Sequence, residues 1–271
     1  MIRSDDWAEL RLRRVERLRP VALFYGSGMK VDVVLLPHDL QAEDLAGKSV
    51  IVFDVLRATT TMTAALSSGV NEIRIFGELD AAMAVARSFS GPHLLCGERH
   101  AVKPPGFDLG NSPGVFAPSL HRGLTLFMAT TNGTRAIVTA AGAGVLFVAG
   151  LVNAGPAAEA LIRTGQDVTL LCSGTEGEVS LEDVLGAGAV IEALSDRSQI
   201  SLQSDRARMA QLLFRGQRQD LLSALTGSRG GQNIVRAGLT PDIAFCANLD
   251  SLAAVGVVNG TSPIVTCWEP K

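Results

Sequence analysis

From Lys30 onwards, short apolar runs alternate with polar loops and with helical patterns of apolar residues. An almost uninterrupted apolar run is typical of a parallel strand buried on both faces, and 50–56 (VIVFDVL) shows this most clearly. Further strands are predicted at 31–36, 72–76, 94–96, 124–128, 145–148, 168–172 and 264–268. Helices are predicted between Arg57 and Gly69, at 80–89, 135–141, 181–194 and 204–215, and from 242 onwards. The alternation predicts an α/β fold with three layers, α/β/α, around a mostly parallel or mixed sheet whose βα loops form the site.

The length of 271 residues accommodates one large α/β domain or two small ones. We interpret 1–28 as an N-terminal extension, in which 7–19 has the charges of a short amphipathic helix, and 29–271 as a single domain. A subdomain boundary near 154–156 is the alternative division. The glycine-rich stretch 227–231 (GSRGG) is interpreted as a flexible connection.

The formal net charge of -3 and the aromatic content of 5% argue against a nucleic-acid-binding surface, which needs clustered basic residues. The stretch 136–158 has no charged residue, but glycine, asparagine and proline interrupt it, so we expect no membrane span. Four cysteines lie far apart without CxxC spacing, as in a reduced cytoplasmic protein: Cys96, Cys172, Cys246 and Cys267. We expect a cytoplasmic protein that forms a homodimer, the commonest assembly of soluble oligomers.

Five acidic residues stand in apolar or glycine-rich surroundings where a metal ion would explain them: Asp54, Glu98, Asp108, Glu182 and Asp183. Carboxylate oxygens without cysteine or histidine partners favour Mg²⁺ over Zn²⁺. Asp54 interrupts a buried strand, where an unpaired carboxylate is costly, so a functional role is favoured there. Glu182 and Asp183 lie at a predicted helix start, where acidic residues also stabilise the helix dipole, and both interpretations stay open.

Two glycine-containing turns between a strand and a helix, 130–134 (TTNGT) and 173–175 (SGT), are candidates for binding a phosphate. Their glycines allow close approach, and backbone N–H groups at a helix N-terminus attract anions. Arg57 and Arg99 add planar guanidinium groups that suit phosphate oxygens. Threonine and asparagine are also ordinary helix caps, which is the alternative interpretation of the first turn. A nucleotide-binding P-loop is excluded, because the pattern GxxxxGK[ST] does not occur.

Five segments stand out in order: FDVLRATTTMTAAL (53–66), GER (97–99), GFDLGNSP (106–113), TTNGTRAI (130–137) and CSGTEGEVSLEDVLGAG (172–188). Together they resemble the motifs of the 2-phosphosulfolactate phosphatase family. The resemblance implies a Mg²⁺-dependent phosphatase that converts 2-phospho-3-sulfolactate to 3-sulfolactate in coenzyme M biosynthesis. Two places depart from the family pattern. Ala129 replaces a third threonine, and 228–232 (SRGGQ) has Gly230 and Gln232 where the family's Ser-x-His-Gly-Arg-like segment has its histidine and its last arginine. The second departure makes a different 2-phosphorylated hydroxy acid an alternative substrate.

We therefore expect hydrolysis of the phosphomonoester of a 2-hydroxy acid, with Mg²⁺ bound by some of the five acidic residues. The predicted catalytic residues are Asp54, Arg57, Glu98 and Asp108. The predicted phosphate- and substrate-binding residues are Arg99, Asn111, Ser112, Thr130, Thr131, Asn132, Gly133, Thr134, Ser173, Gly174 and Thr175. Asp54 either ligates the metal ion or acts as the nucleophile and forms an aspartyl-phosphate. The alternative from another class is a protein that binds a phosphorylated acid without hydrolysing it.

Overall fold

The computed structural model describes residues 28–260 and 262–269, so the predicted helix at 7–19 and nearly all of the extension lie outside the described residues. Ten strands of this part of the chain form one sheet: β1 (Met29–Val34), β2 (Ser49–Phe53), β3 (Glu72–Phe76), β4 (His93–Gly97), β5 (Thr125–Ala129), β6 (Val145–Ala149), β7 (Val168–Cys172), β8 (Ile200–Leu202), β9 (Gly256–Asn259) and β10 (Ile264–Cys267). The described α-helices are α1 (Ala58–Ser67), α2 (Leu79–Ser88), α3 (Pro118–His121), α4 (Gly133–Thr139), α5 (Ala154–Thr164), α6 (Leu181–Ser195), α7 (Asp205–Gln217), α8 (Leu221–Gly227), α9 (Arg229–Arg236) and α10 (Thr240–Cys246).

The strands are ordered β4-β5-β3-β10-β9-β6-β2-β7-β1-β8. Parallel pairing joins β4, β5 and β3 at one end, and β6, β2, β7, β1 and β8 at the other. The hairpin of β9 and β10 lies between these two sets and pairs antiparallel with both, through β6 and β3. Three antiparallel pairings in a row make the two parallel sets run in opposite directions. Loops that follow strands of both parallel sets nevertheless line one cavity.

The central strand β2 shows how helices cover both faces of the sheet. Ile51 and Phe53 pack into the core on the side of α5, α6 and α7, whereas Val50 and Val52 pack on the side of α1 and α4. All five residues of β2 are buried, as its apolar sequence predicts. The three-layer α/β/α arrangement and the mostly parallel, mixed sheet are therefore confirmed.

Most predicted elements occur, with ends shifted by up to three residues, but the prediction for the glycine-rich connection is wrong. The stretch 227–231 is helical at both ends, because α8 ends at Gly227 and α9 begins at Arg229. The Ser228 side chain accepts a hydrogen bond from the Gly231 N–H group at 3.0 Å and caps α9. This cap and the packing of the helix outweigh the low helix propensity of two successive glycines.

The uncharged stretch 136–158 is divided among α4, β6 and α5. Within the residues that the structure describes, no helix combines the length and the apolar character needed to cross a membrane. Positions 154–156 form the first turn of α5, and strands before and after them belong to the same sheet.

Candidate active site

Loops that follow β2, β4, β5 and β7 surround one open cavity of about 420 Å³, and α9 forms a further wall. Seven of the predicted site residues line this main cavity: Asp54, Arg57, Glu98, Asn111, Thr131, Asn132 and Thr175. They come from distant parts of the chain and meet at strand ends, where open α/β sheets bind their ligands.

Asp54 follows β2 directly, and only 8% of it is exposed. Its Oδ1 accepts a hydrogen bond from the Ala58 N–H group at 3.1 Å, and the nearby Gly133 N–H group also favours the ionised carboxylate. Burial above all, with the charges of Glu98 and Glu182, raises the pKa of Asp54 to about 6. A carboxyl group with a pKa this close to neutrality, placed in a cavity, is suited to proton transfer or nucleophilic attack.

The amides of the 130–134 turn bind the protein's own carboxylates. The Thr131 N–H group donates to Glu98 Oε1 at 2.7 Å, and the nearby Gly133 N–H group lowers the pKa of Asp54. The start of α4 attracts anions, as its turn sequence predicts, but the anions are two acidic side chains. The Thr131 amide, one of those predicted to bind phosphate, is therefore already occupied.

The second predicted anion-binding turn, 173–175, has all three of its amides bonded to protein atoms. The Gly174 N–H group donates to Asp183 Oδ2 at 3.0 Å, and the amides on either side of it donate to backbone carbonyl oxygens. Asp183 Oδ1 also accepts a hydrogen bond from the Val55 N–H group at 2.9 Å. Asp183 thus ties the loops after β2 and β7 together. The backbone amides of this turn have protein partners, and phosphate binding by the turn stays a prediction.

Glu182 and Asp183 begin α6 and are 1% and 2% exposed. Burial, followed by the charges of Asp54 and Glu182, raises the pKa of Asp183 well above its usual value. Burial also raises the pKa of Glu182, and no hydrogen-bond partner for its Oε2 atom occurs in the described part of the chain. Three carboxyl groups therefore share one buried region, where a cation would relieve their mutual repulsion.

Arg57 is held by a buried partner, Asp242, which the sequence did not reveal. Arg57 Nη1 lies 2.6 Å from Asp242 Oδ2, and the two side chains are 1% and 9% exposed. Ser112 Oγ donates to the same Asp242 oxygen at 2.7 Å and accepts a hydrogen bond from Arg57 Nη1 at 3.3 Å. Arg57 Nη2 donates to the Ala101 carbonyl oxygen at 2.8 Å. Arg57 therefore lines the cavity but already donates hydrogen bonds to Asp242, Ser112 and Ala101. Ser112 takes part in this hydrogen-bond network.

Arg99 and Thr130 line an adjoining cavity of about 130 Å³ instead, which shares Glu98 and Thr131 with the main cavity. The Thr130 hydroxyl accepts a hydrogen bond from the Thr134 N–H group at 3.3 Å. Thr134 Oγ1 donates in return to the Thr130 carbonyl oxygen at 2.7 Å. These two threonines bond to each other across the start of α4, whose N-cap residue is Asn132.

Asp108 lies apart from both cavities. Its Oδ2 accepts a hydrogen bond from the Leu95 N–H group at 2.8 Å, and its own N–H group donates to the Leu95 carbonyl oxygen at 3.0 Å. These contacts fasten the polar loop to the edge strand β4. The structure therefore does not bring Asp108 into the candidate site, and its catalytic and metal-binding roles stay predictions.

Two segments of the cavity wall were missing from the predicted site. His100 lines both cavities, and it and Ala101 adopt positive φ angles of 53° and 64° in the loop after β4. Helix α9 and the residue after it contribute Gly230, Asn233, Ile234, Arg236 and Ala237. Their spacing is that of one helix face, but the glycines around position 230 concealed the helix in the sequence.

The residues around the main cavity fit a divalent cation with oxygen ligands. Asp54 and Glu98 present carboxylates to it, and Asn111 Oδ1, Ser173 Oγ and Glu182 Oε2 are buried without a partner in the described chain. No three His, Cys, Asp or Glu side chains of that part of the chain are grouped tightly enough to hold a metal ion by themselves.

We expect Gly133→Ala to lower kcat for the expected phosphomonoester hydrolysis by about 100-fold. The added methyl group would displace the Asp54 carboxylate, and misplacing a reacting group by about 1 Å has an effect of that size. A Cβ at this position would lie 2.7 Å from both Asp54 Oδ2 and the Ala58 Cβ. The matched control is Gly216→Ala in α7, whose Cβ would meet no atom within 4 Å and which should keep full activity. Steady-state kinetics check this, and equal activities of the two variants would contradict the close approach of α4 to Asp54.

The fold and the site define an α/β protein with a polar, carboxylate-lined cavity for a small ligand at its strand ends, the arrangement of an enzyme active site. The family model described as 2-phosphosulpholactate phosphatase matches residues 34–261. The chain belongs to the 2-phosphosulfolactate phosphatase family, which confirms the resemblance of its five motifs.

Three relatives named "Probable 2-phosphosulfolactate phosphatase" show how far the similarity extends. The protein of Carboxydothermus hydrogenoformans is 40% identical over 228 residues, which are 84% of this chain and 92% of that relative. The protein of Symbiobacterium thermophilum is 40% identical over 217 residues, 80% of this chain and 93% of that relative. The protein of Microcystis aeruginosa is 36% identical over 218 residues, 79% of this chain and 90% of that relative.

Proposed function

We propose that this chain is a Mg²⁺-dependent phosphatase that hydrolyses 2-phospho-3-sulfolactate to 3-sulfolactate and phosphate. The observation that carries the proposal is the buried Asp54, whose pKa is raised to about 6 and whose carboxylate lines a cavity in a chain of this family. The names of relatives that share at least nine tenths of their length with this chain support the choice of substrate.

Asp54 is the reacting carboxylate in this proposal. As a base it takes a proton from a water molecule whose oxygen attacks phosphorus; as a nucleophile its own oxygen attacks, and water then releases phosphate. In both routes the bond between phosphorus and the C2 ester oxygen breaks, and that oxygen takes a proton. Both routes need ionised Asp54, and the amides of Ala58 and Gly133 stabilise that form.

The substrate phosphate and the carboxylates of Asp54 and Glu98 are all negative, so a cation has to separate them. We assign Mg²⁺ to Asp54 and Glu98, with the buried Glu182 behind them. When bound, Mg²⁺ neutralises charge that develops on the phosphoryl oxygens. Glu98 is fixed for this task, because it accepts hydrogen bonds from the Thr131 and Ala101 N–H groups at 2.7 and 2.9 Å. Asp183 is a positioning residue, since it does not line the main cavity and its two oxygens tie the loops after β2 and β7 together.

We further propose a cytoplasmic homodimer whose product enters coenzyme M biosynthesis. The four cysteines are free thiols, which is consistent with a reducing compartment. Twofold homodimers are the commonest assemblies among soluble oligomers. The pathway follows from the product that the family resemblance implies.

Phosphate release from a panel of phosphorylated 2-hydroxy acids, with Mg²⁺ and with EDTA, tests the function. We expect release from 2-phospho-3-sulfolactate that EDTA abolishes and added Mg²⁺ restores. Release from phospholactate or phosphoglycolate, but not from phosphosulfolactate, would replace the substrate. Release from no compound would leave an anion-binding protein, and release that EDTA does not change would remove Mg²⁺ from the proposal.

A further inference from the structure

Helix α9 presents a polar face to the main cavity that the proposed reaction does not use. Asn233 and Arg236 lie on this wall, together with Gly230 nearer the start of the helix. Their spacing places them along one side of the helix, which faces the same cavity as Asp54.

The position of α9 is set by close contacts with buried groups. A Cβ at Gly230 would lie 1.9 Å from Glu182 Oε1, and a Cβ at Gly231 would lie 1.9 Å from the Leu225 carbonyl oxygen. The Ser228 hydroxyl caps the helix by accepting the Gly231 N–H group. Because backbone and buried side chains meet without intervening space, the cavity wall is preformed and its polar face has a fixed place.

The cavity contains two arginines with different environments. Arg57 is buried and paired with Asp242. Arg236 is exposed, and its Nη2 group donates to Asn233 Oδ1, a neutral partner. No ion pair of Arg236 occurs among the residues that the structure describes. Arg236 is therefore the cavity arginine whose charge no described carboxylate neutralises.

Building on the proposed function, we propose that Arg236, oriented by Asn233, binds the sulfonate of the substrate while the phosphate lies at Asp54. The carboxylate of 2-phospho-3-sulfolactate is bonded to the carbon that bears the phosphate ester, so it has to lie beside the phosphate. The sulfonate is one carbon further away and extends towards the exposed wall. A guanidinium group is weakly hydrated and planar, and it donates two parallel hydrogen bonds to an anion with several oxygens.

The adjoining small cavity is the competing location for the sulfonate, since Arg99 and Arg135 line it. It is about 130 Å³ in volume against about 420 Å³ for the main cavity. Arg135 also has a carboxylate neighbour, Glu78, at 3.5 Å. Both observations favour Arg236.

The test compares two substrates that differ only in the sulfonate, 2-phospho-3-sulfolactate and 2-phospholactate, with the full chain and Mg²⁺. We expect Arg236→Gln to lower kcat/KM for the sulfonated substrate by about 10- to 100-fold, mainly through a higher KM, as expected for a lost charge-assisted hydrogen bond. Its kcat/KM for phospholactate should stay close to that of the unaltered protein. Arg236→Lys should retain part of the preference for the sulfonated substrate. Arg208→Gln on α7 is the matched control for the loss of an exposed arginine.

Equal losses on both substrates would overturn the proposal, because Arg236 would then act on the phosphate or on the fold. A change of preference in Arg99→Gln or Arg135→Gln, but not in Arg236→Gln, would move the sulfonate to the small cavity and also overturn it. If the unaltered protein hydrolyses neither compound, the proposed function itself fails. These outcomes are distinguishable, because the last is seen without any substitution.

Discussion

Asp54→Asn is expected to lower kcat by about 1,000-fold or more, because an amide neither accepts a proton from water nor attacks phosphorus. Asparagine has nearly the same shape as aspartate and keeps one oxygen to accept the Ala58 N–H group. Phosphate release at saturating substrate measures the effect. Near-normal hydrolysis by this variant would remove Asp54 from the reaction.

The loss should not come from unfolding. Burial raises the pKa of Asp54 from 3.8 to about 6 in the folded protein, so the folded state favours the protonated form. In the absence of metal, Asp54 therefore lowers the stability of the unaltered protein by about 3 kcal/mol as the pH rises from below 3.8 to above about 6. Asparagine removes that penalty at pH 8 and leaves one amide donor unpaired, so metal-free Asp54→Asn should be at least as stable. Thermal unfolding checks this, with the exposed Asp80→Asn on α2 as the matched control for activity.

Asp242→Ala is expected to lower the free energy of unfolding by about 3–5 kcal/mol, since it leaves the buried Arg57 guanidinium without its counter-charge. The two side chains are 2.6 Å apart and almost fully buried, so removing one partner leaves the other charge buried without compensation. Activity should fall as well, because Arg57 lines the main cavity. Urea unfolding measures the first effect, and phosphate release the second.

The control for Asp242→Ala is an exposed ion pair of the same chemical types. Arg135 and Glu78 are 3.5 Å apart, with side chains that are 64% and 67% exposed, so Glu78→Ala should change stability by less than about 1 kcal/mol. Replacing both buried partners by apolar residues, Arg57→Met with Asp242→Leu, should recover much of the stability without the activity. Equal stabilities of Asp242→Ala and Glu78→Ala would contradict a structural role for the buried pair.

The strands most accessible to sequence analysis are those buried on both faces, because both faces then demand apolar residues. This is why β2 and β7 could be predicted from their apolar runs. The edge strand β8 is only half-buried and has three residues, Ile200, Ser201 and Leu202, which are too few to show an alternating pattern. Helix α9 was missed for a different reason, since its glycines are required by contact with Glu182 and with the Leu225 carbonyl, which no local pattern reveals.

For the site, the sequence predicts residue types better than it predicts their partners. The preference of the 130–134 turn for an anion is local chemistry, and the sequence predicts it. Its partner is not local: Glu98 is 33 positions from Thr131. The ion pair of Arg57 and Asp242 spans 185 positions. Residue types therefore indicate which groups carry the chemistry. Whether each group binds the ligand or another part of the protein depends on contacts between residues that are far apart in the sequence.

The hairpin of β9 and β10 has a consequence for synthesis of the protein. These two strands follow all eight others in the chain, yet they occupy the middle of the sheet and connect its two parallel sets by strand pairing. While the hairpin is still inside the ribosome, the nascent chain carries two partial sheets whose β3 and β6 edges are unpaired, the condition that favours aggregation. A translation product that stops at Asn248 contains every proposed catalytic group and lacks the strands that join the two halves around them.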